Sequence, residues 1–156
     1  MTAWTRIACP VDFSPASRVA LERAAELARG SGAELMLIHV YEPRPRPLRT
    51  DTLVADAELL EQAPVELERE LTGWRDAARK ASARPVDCAF LRGDPAAEIV
   101  RFAGEGRYDL LVLGTHGRTE LEHAAFGSVA EKVVREARCS VLVVRPVVRS
   151  PGGEGR

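Results

Sequence analysis

Lysine is nearly missing from these 156 residues: Lys80 and Lys132 are the only two, and arginine carries almost all the positive charge. Neither lysine falls in a glycine-rich loop, and no G-x-x-x-x-G-K-[ST] segment exists, which excludes a P-loop ATPase. Cysteine is also scarce. Cys9, Cys88 and Cys139 are odd in number, far apart and without a C-x-x-C spacing, so neither a disulfide framework nor a zinc site is expected. Long apolar runs are lacking too. Stretches such as Leu110 to Leu113 and Val141 to Val144 have strand length, well short of the roughly 20 residues of a membrane-spanning helix. The first twenty residues, broken by Pro10, Asp12 and Pro15, make no signal peptide. The formal net charge of −1 offers no basic field for a nucleic-acid backbone. These absences describe a cytoplasmic protein with no membrane or nucleic-acid partner.

What is present is enough apolar material, 46% of the residues, for one core. A chain of this length buries roughly two-thirds of its unfolded surface and needs no covalent staple. Short aliphatic runs alternate with segments of helical period, the pattern of parallel strands joined by crossover helices. Strands are expected at Arg6 to Val11, Glu34 to Val40, Pro85 to Leu91, Asp109 to Leu113 and Ser140 to Arg145. Ser14-Pro15 supplies a cap and a first-turn proline for one helix, which ends at Gly30-Ser31-Gly32, and Gly93-Asp94-Pro95 does the same for another reaching Ala103. A longer helix is expected from about Val54 to Ser82, with Leu60, Leu67, Leu71, Trp74 and Ala78 on its apolar side and a kink or restart at Pro64. Residues 41–52 read as a proline-spaced loop or lid. Residues 1–146 then form one domain, and 147–156 a flexible tail.

The stretch that carries chemistry is Gly114-Thr115-His116-Gly117, nine residues from Arg118 to Phe126, then Gly127-Ser128 opening a helix to about Ala137. In an open α/β sheet, ligands bind beyond the carboxyl ends of the strands, where strand order reverses. Glycines there permit close approach, and a helix N-terminus offers N–H donors to an anion such as phosphate. A plainer reading stands beside this one. Ser128 with Glu131 is an S-x-x-E capping box, and the glycines need serve only a tight turn. His39, between Ile38 and Val40, reads as a hydrogen-bonded strand histidine rather than a metal ligand. Cys9 reads as an inert small hydrophobe.

The spacing G-x-x-G-x9-G-[ST], met by Gly114, Gly117, Gly127 and Ser128, resembles the signature of the nucleotide-binding branch of the universal stress proteins. Pro10-Val11-Asp12 after the first strand, Gly93-Asp94-Pro95 after the third, and Gly127 to Glu131 before a valine-rich last strand extend the resemblance over residues 4–146. It implies an α/β fold of the adenine nucleotide alpha hydrolase type. That is a single doubly wound domain, its five-stranded parallel sheet in order 3-2-1-4-5 with helices on both faces. It also implies ATP with magnesium or manganese as ligand. Gly114 to Gly117 and Gly127-Ser128 would wrap the phosphates with Val129, and His116 and Arg118 would face them. Asp12 would contact the ribose or the nucleotide-bound metal, while Pro10, Val11, Val40 and Leu113 would frame the adenine. Two departures from the family pattern are Glu120, where glycine is common, and His123-Ala124-Ala125-Phe126, where an aliphatic run is usual.

By the same resemblance the protein is a stress-response sensor or regulator, a homodimer through Val141, Leu142, Val143 and Val144, acting on a further protein partner. Those four residues form an apolar edge strand otherwise open to unwanted pairing. The alternatives are a slow ATP-hydrolysing enzyme and a nucleotide-free interaction module. No recognisable catalytic motif is present, so at most a slow ATPase is expected.

Overall fold

The computed structural model describes residues 3–42, 65–115 and 126–146. The five strands are β1 (Arg6–Pro10), β2 (Glu34–Tyr41), β3 (Val86–Arg92), β4 (Leu110–Gly114) and β5 (Ser140–Val144). The helices are α1 (Pro15–Ser31), α2 (Val65–Ser82), α3 (Pro95–Glu105) and α4 (Ser128–Glu136). The strands form one parallel sheet in the order β3-β2-β1-β4-β5. Strand and helix ends move by a residue or two from the sequence expectation, except that the expected start of α2 near Val54 lies outside the described residues. Residues 43–64, including Leu60, Pro64 and most of the expected 41–52 loop, lie outside the described residues, as does the 147–156 tail.

Alternation along the strands divides the core between the two faces. Ile7, Cys9, Leu35, Leu37, Leu110 and Val112 pack against α1 and α2. Ala8, Ile38, Leu111 and Leu113 pack against α3 and α4 with Ile99, Ala103, Ala130 and Val133. The inward face of α2 is Leu71, Trp74 and Ala78, with Leu67 half-buried, as its period requires. Cys9 is completely buried, and that burial pushes its thiol pKa far above the ordinary value, so it packs as a small hydrophobe.

The inward face of α1 is almost all small: Ala16, Ser17, Ala20, Ala24, Ala25 and Ala28, with Leu21. Such a face lets the helix lie close on the sheet. The approach is tight at Gly114, where a Cβ would stand 2.8 Å from both the carbonyl carbon and the oxygen of Ala16. Any side chain there would collide with helix backbone. Gly114 therefore answers to helix packing, a role the phosphate-loop reading did not foresee.

The crevice follows from the ladders. β1 pairs with β2 as far as Pro10 opposite Ile38, but with β4 only through Ile7–Leu110 and Ala8–Leu111. Beyond Ala8 the sheet is open between β1 and β4, at the position where chain order reverses.

Candidate functional site

Beyond that opening lies a cleft of about 390 Å³. One wall is apolar: Pro10 and Val11 after β1, Ile38 and Val40 of β2, Leu113 of β4 and Ile99 of α3. The opposite side is the start of α4, with Gly127, Ser128, Val129 and Ala130. Asp12 and Ser17 close the cleft toward α1, and Glu42, Asp94 and Pro95 close it toward β3 and α3. Among the residues expected at a ligand site, Pro10, Val11, Asp12, Val40, Leu113, Gly114, Gly127, Ser128 and Val129 all line this one cleft. His116, Gly117 and Arg118 lie outside the described residues, as do Glu120 and His123 to Ala125. The chain leaves β4 at Thr115 and returns at Gly127, whose N–H donates to the Thr115 carbonyl at 2.5 Å. Thr115 is itself tied to β5, its N–H donating to the Val144 carbonyl at 3.2 Å.

Three helix N-termini meet here. At α1 the Ser14 hydroxyl accepts the Ser17 N–H at 3.2 Å. At α3 the Asp94 carboxylate accepts the Ala97 N–H at 2.9 Å. That bond, with the Lys132 ammonium 3.3 Å away on α4, holds the Asp94 pKa below the ordinary carboxylate range. At α4 the cap position belongs to Gly127, in extended conformation at φ −73° and ψ 160°, and no side-chain cap bond forms. Ser128 is the first helical residue instead of the cap. The capping box of Ser128 with Glu131 is thereby overturned: a side chain one position inside the helix cannot fold back on the third N–H as a cap does. Gly127 carries no side chain to occupy that place.

Asp12 is more engaged than its position after a strand suggests. Its Oδ1 accepts the Ser14 N–H at 3.0 Å and the Ser17 hydroxyl at 2.5 Å, while its own N–H donates to Ser17 Oγ at 3.0 Å. These bonds fix the turn into α1 and present the carboxylate at the cleft edge in one orientation. Phe13, next in the chain, takes the left-handed conformation at φ 64°, rare for a bulky residue. His39 is buried, its Nδ1 2.8 Å from the Val11 carbonyl oxygen, which bears out the hydrogen-bonded strand reading.

Thr115, within the Gly114 to Gly117 stretch, lines the cleft too, and Ser17, Ile38, Glu42, Asp94, Pro95, Ile99 and Ala130 complete it without having been assigned to the site from the sequence. Asp94 and Pro95 carried a usable signal, because they follow a strand end on the rim where ligands collect. The others come from elements that only the strand order brings together.

The arrangement has solved counterparts. A model described as the universal stress protein family matches residues 3–145. A universal stress protein of Methanocaldococcus jannaschii is 34% identical over 145 residues, covering 91% of this chain and 82% of that protein. The universal stress protein UspA from Lactobacillus plantarum superimposes with a TM-score of 0.80 at 26% identity, covering 93% of this chain and all of that one. A universal stress protein solved in complex with cAMP superimposes with a TM-score of 0.70, also at 26% identity, covering 92% and 98% of the two chains. The family match, the sequence identity and the shared fold agree, and the chain belongs to the universal stress protein family.

Proposed function

We propose that the protein binds an adenine nucleotide, ATP with magnesium or manganese, in the cleft between β1 and β4, and acts as a nucleotide-dependent regulator in the stress response. The observation that carries this reading is the pairing of an apolar wall with a helix start whose cap residue, Gly127, has no side chain. A flat base fits against Pro10, Val40 and Leu113. Phosphate fits the α4 start, where backbone N–H groups and the helix dipole favour an anion. The cAMP complex of a similar protein supports an adenine nucleotide as the ligand class.

Asp12, which lines the cleft, would take a ribose hydroxyl on this reading. With Oδ1 already accepting two hydrogen bonds, it makes a poor sole anchor for a cation. Among the described residues no group of three or more His, Cys, Asp or Glu could hold a metal. The metal in this reading arrives on the phosphates. The sequence carries no recognisable catalytic motif, and on this reading turnover below the ~1–100 per second typical of kinases is expected. His116, Gly117 and Arg118 enter through the sequence motif alone.

β5 supports a homodimer. It ends the sheet, its residue Leu142 is exposed, and Val134 of α4 is exposed as well. Val143 packs against the core on the α3 and α4 side, so Leu142 is the residue whose change tests pairing without emptying the core. Light scattering at micromolar concentration should give a dimer for the wild type and a monomer for Leu142→Asp. A monomeric wild type contradicts the pairing.

The nucleotide reading is tested by denaturing the purified protein and chromatographing whatever is released, alongside thermal shifts with millimolar ATP. Ligand at a hundred times its dissociation constant adds about 2.7 kcal/mol of stability. No released nucleotide and no shift would sink the reading. No described helix is long and apolar enough to cross a membrane.

A further inference from the structure

The back of the cleft is held by His39. Its chain neighbours Ile38 and Val40 line the cleft, and strand alternation sends the His39 ring to the opposite face of the sheet. There it is buried between Phe13, at a ring-centroid distance of 4.5 Å, and Phe90, at 5.2 Å, while Phe13 meets Trp74 of α2 edge-on at 5.4 Å. In this aromatic nest a leucine would fill much the same space. What leucine cannot do is reach the Val11 carbonyl oxygen, 2.8 Å from His39 Nδ1.

That oxygen only accepts, so Nδ1 carries the hydrogen and the ring is fixed as the Nδ1–H donor. The Val11 N–H donates to the Ile38 carbonyl at 2.8 Å. Val11 lies beyond the last residue of β1, yet both its N–H and its C=O are fastened to β2, and it leads directly into Asp12. Phe13, in its left-handed conformation, is pinned between the same histidine and Trp74. Val11 thus has its carbonyl held from behind by a side chain that does not line the cleft, immediately before Asp12, whose own N–H goes to Ser17 Oγ.

We infer that His39 is a positioning residue for the ligand, setting the Val11–Asp12 edge through the Nδ1–H bond to the Val11 carbonyl. The inference rests on the adenine-nucleotide reading for what the edge touches, and on the backbone geometry alone for what His39 holds. The test compares the wild type with His39→Leu, which removes the donor, and His39→Asn, whose amide N–H stands near the place of Nδ1. Calorimetric titration with magnesium ATP and with cAMP should show binding about tenfold weaker in the leucine variant, about 1.4 kcal/mol and within the range of one hydrogen bond. The asparagine variant should return to within about threefold of the wild type, a rescue that mere filling of space would not produce. Imidazole nitrogen NMR should find the Nδ1–H tautomer at His39. Wild-type affinity in the leucine variant, or an Nε2–H tautomer, overturns the inference.

Should the wild type bind neither nucleotide, the adenine reading falls, and amide exchange over Val11 to Ser14 decides the positioning role separately. Faster exchange in the leucine variant but not in the asparagine variant supports it. Equal exchange in all three proteins overturns it.

Discussion

α3 and α4 both begin on the rim of the cleft, one after β3 and one after the chain's return from β4, and they begin differently. α3 brings its own anion: Asp94 caps Ala97 and reaches Lys132 across the rim. α4 begins at Gly127, which brings none, although its conformation of φ −73° would suit any capping residue. Serine, threonine, aspartate or asparagine there would strengthen the helix. The difference teaches that the α3 start is capped by its own side chain, whereas the cap residue of α4 has no side chain to do the same. α1 follows α3, with Ser14 as cap and Asp12 wrapped around the turn.

The largest expected effect removes the frame in which these helix starts are compared. Gly114→Ala places a Cβ against the Ala16 backbone in the first turn of α1. Overpacking of this kind costs about 2–3 kcal/mol, and denaturant unfolding should show a loss of that size. A neutral substitution would mean that α1 is not seated on β4 as described.

A smaller loss should follow from taking the cap away from α3. Asp94→Ala gives up the Ala97 bond and the Lys132 contact, at about 1 kcal/mol. The effect has a pH signature. The Asp94 pKa is lowered in the folded protein, first by the Ala97 N–H and then by Lys132, so its contribution is fully present above the ordinary carboxylate pKa of 3.8 and is lost as pH falls through the lower folded value. Unfolding measured down the pH scale should bring the wild type and Asp94→Ala together below that window. A gap that persists when Asp94 is protonated would assign the loss to packing instead.

The same contrast marks what could be read from sequence. Ser14-Pro15 and Asp94-Pro95 announce their helices because a capping residue followed by proline is a local device, complete within two or three residues. Gly127-Ser128 is ambiguous locally, since either residue serves as a cap, and the structure decides for the glycine. Gly114 was legible as a required glycine but not for its reason, because Ala16 is nearly a hundred residues away and approaches only through the small face of α1. Strand order is a long-range property that alternation of strands and helices cannot supply alone, and it came from the resemblance carried by the glycine spacing. Nine of the residues so picked out meet in one cleft. Ile99 was missed because α3 has nothing local to mark it, and Glu42 and Ala130 because no motif singles them out beside Val40 and Val129.

The smallest expected effect on the fold bears most directly on function. Gly127→Asp makes α4 resemble α3, supplying the missing carboxylate, and should stabilise the protein by about 0.5 kcal/mol or less, since glycine is only a few tenths poorer than aspartate as a cap. The decisive measurement is the calorimetric affinity of this variant and of the wild type for magnesium ATP. If the α4 start receives phosphate, the wild type binds, and the variant, equally folded or slightly more stable, binds at least about tenfold more weakly, because its own carboxylate occupies the donors and repels the ligand. Equal affinity in the two proteins would contradict the account.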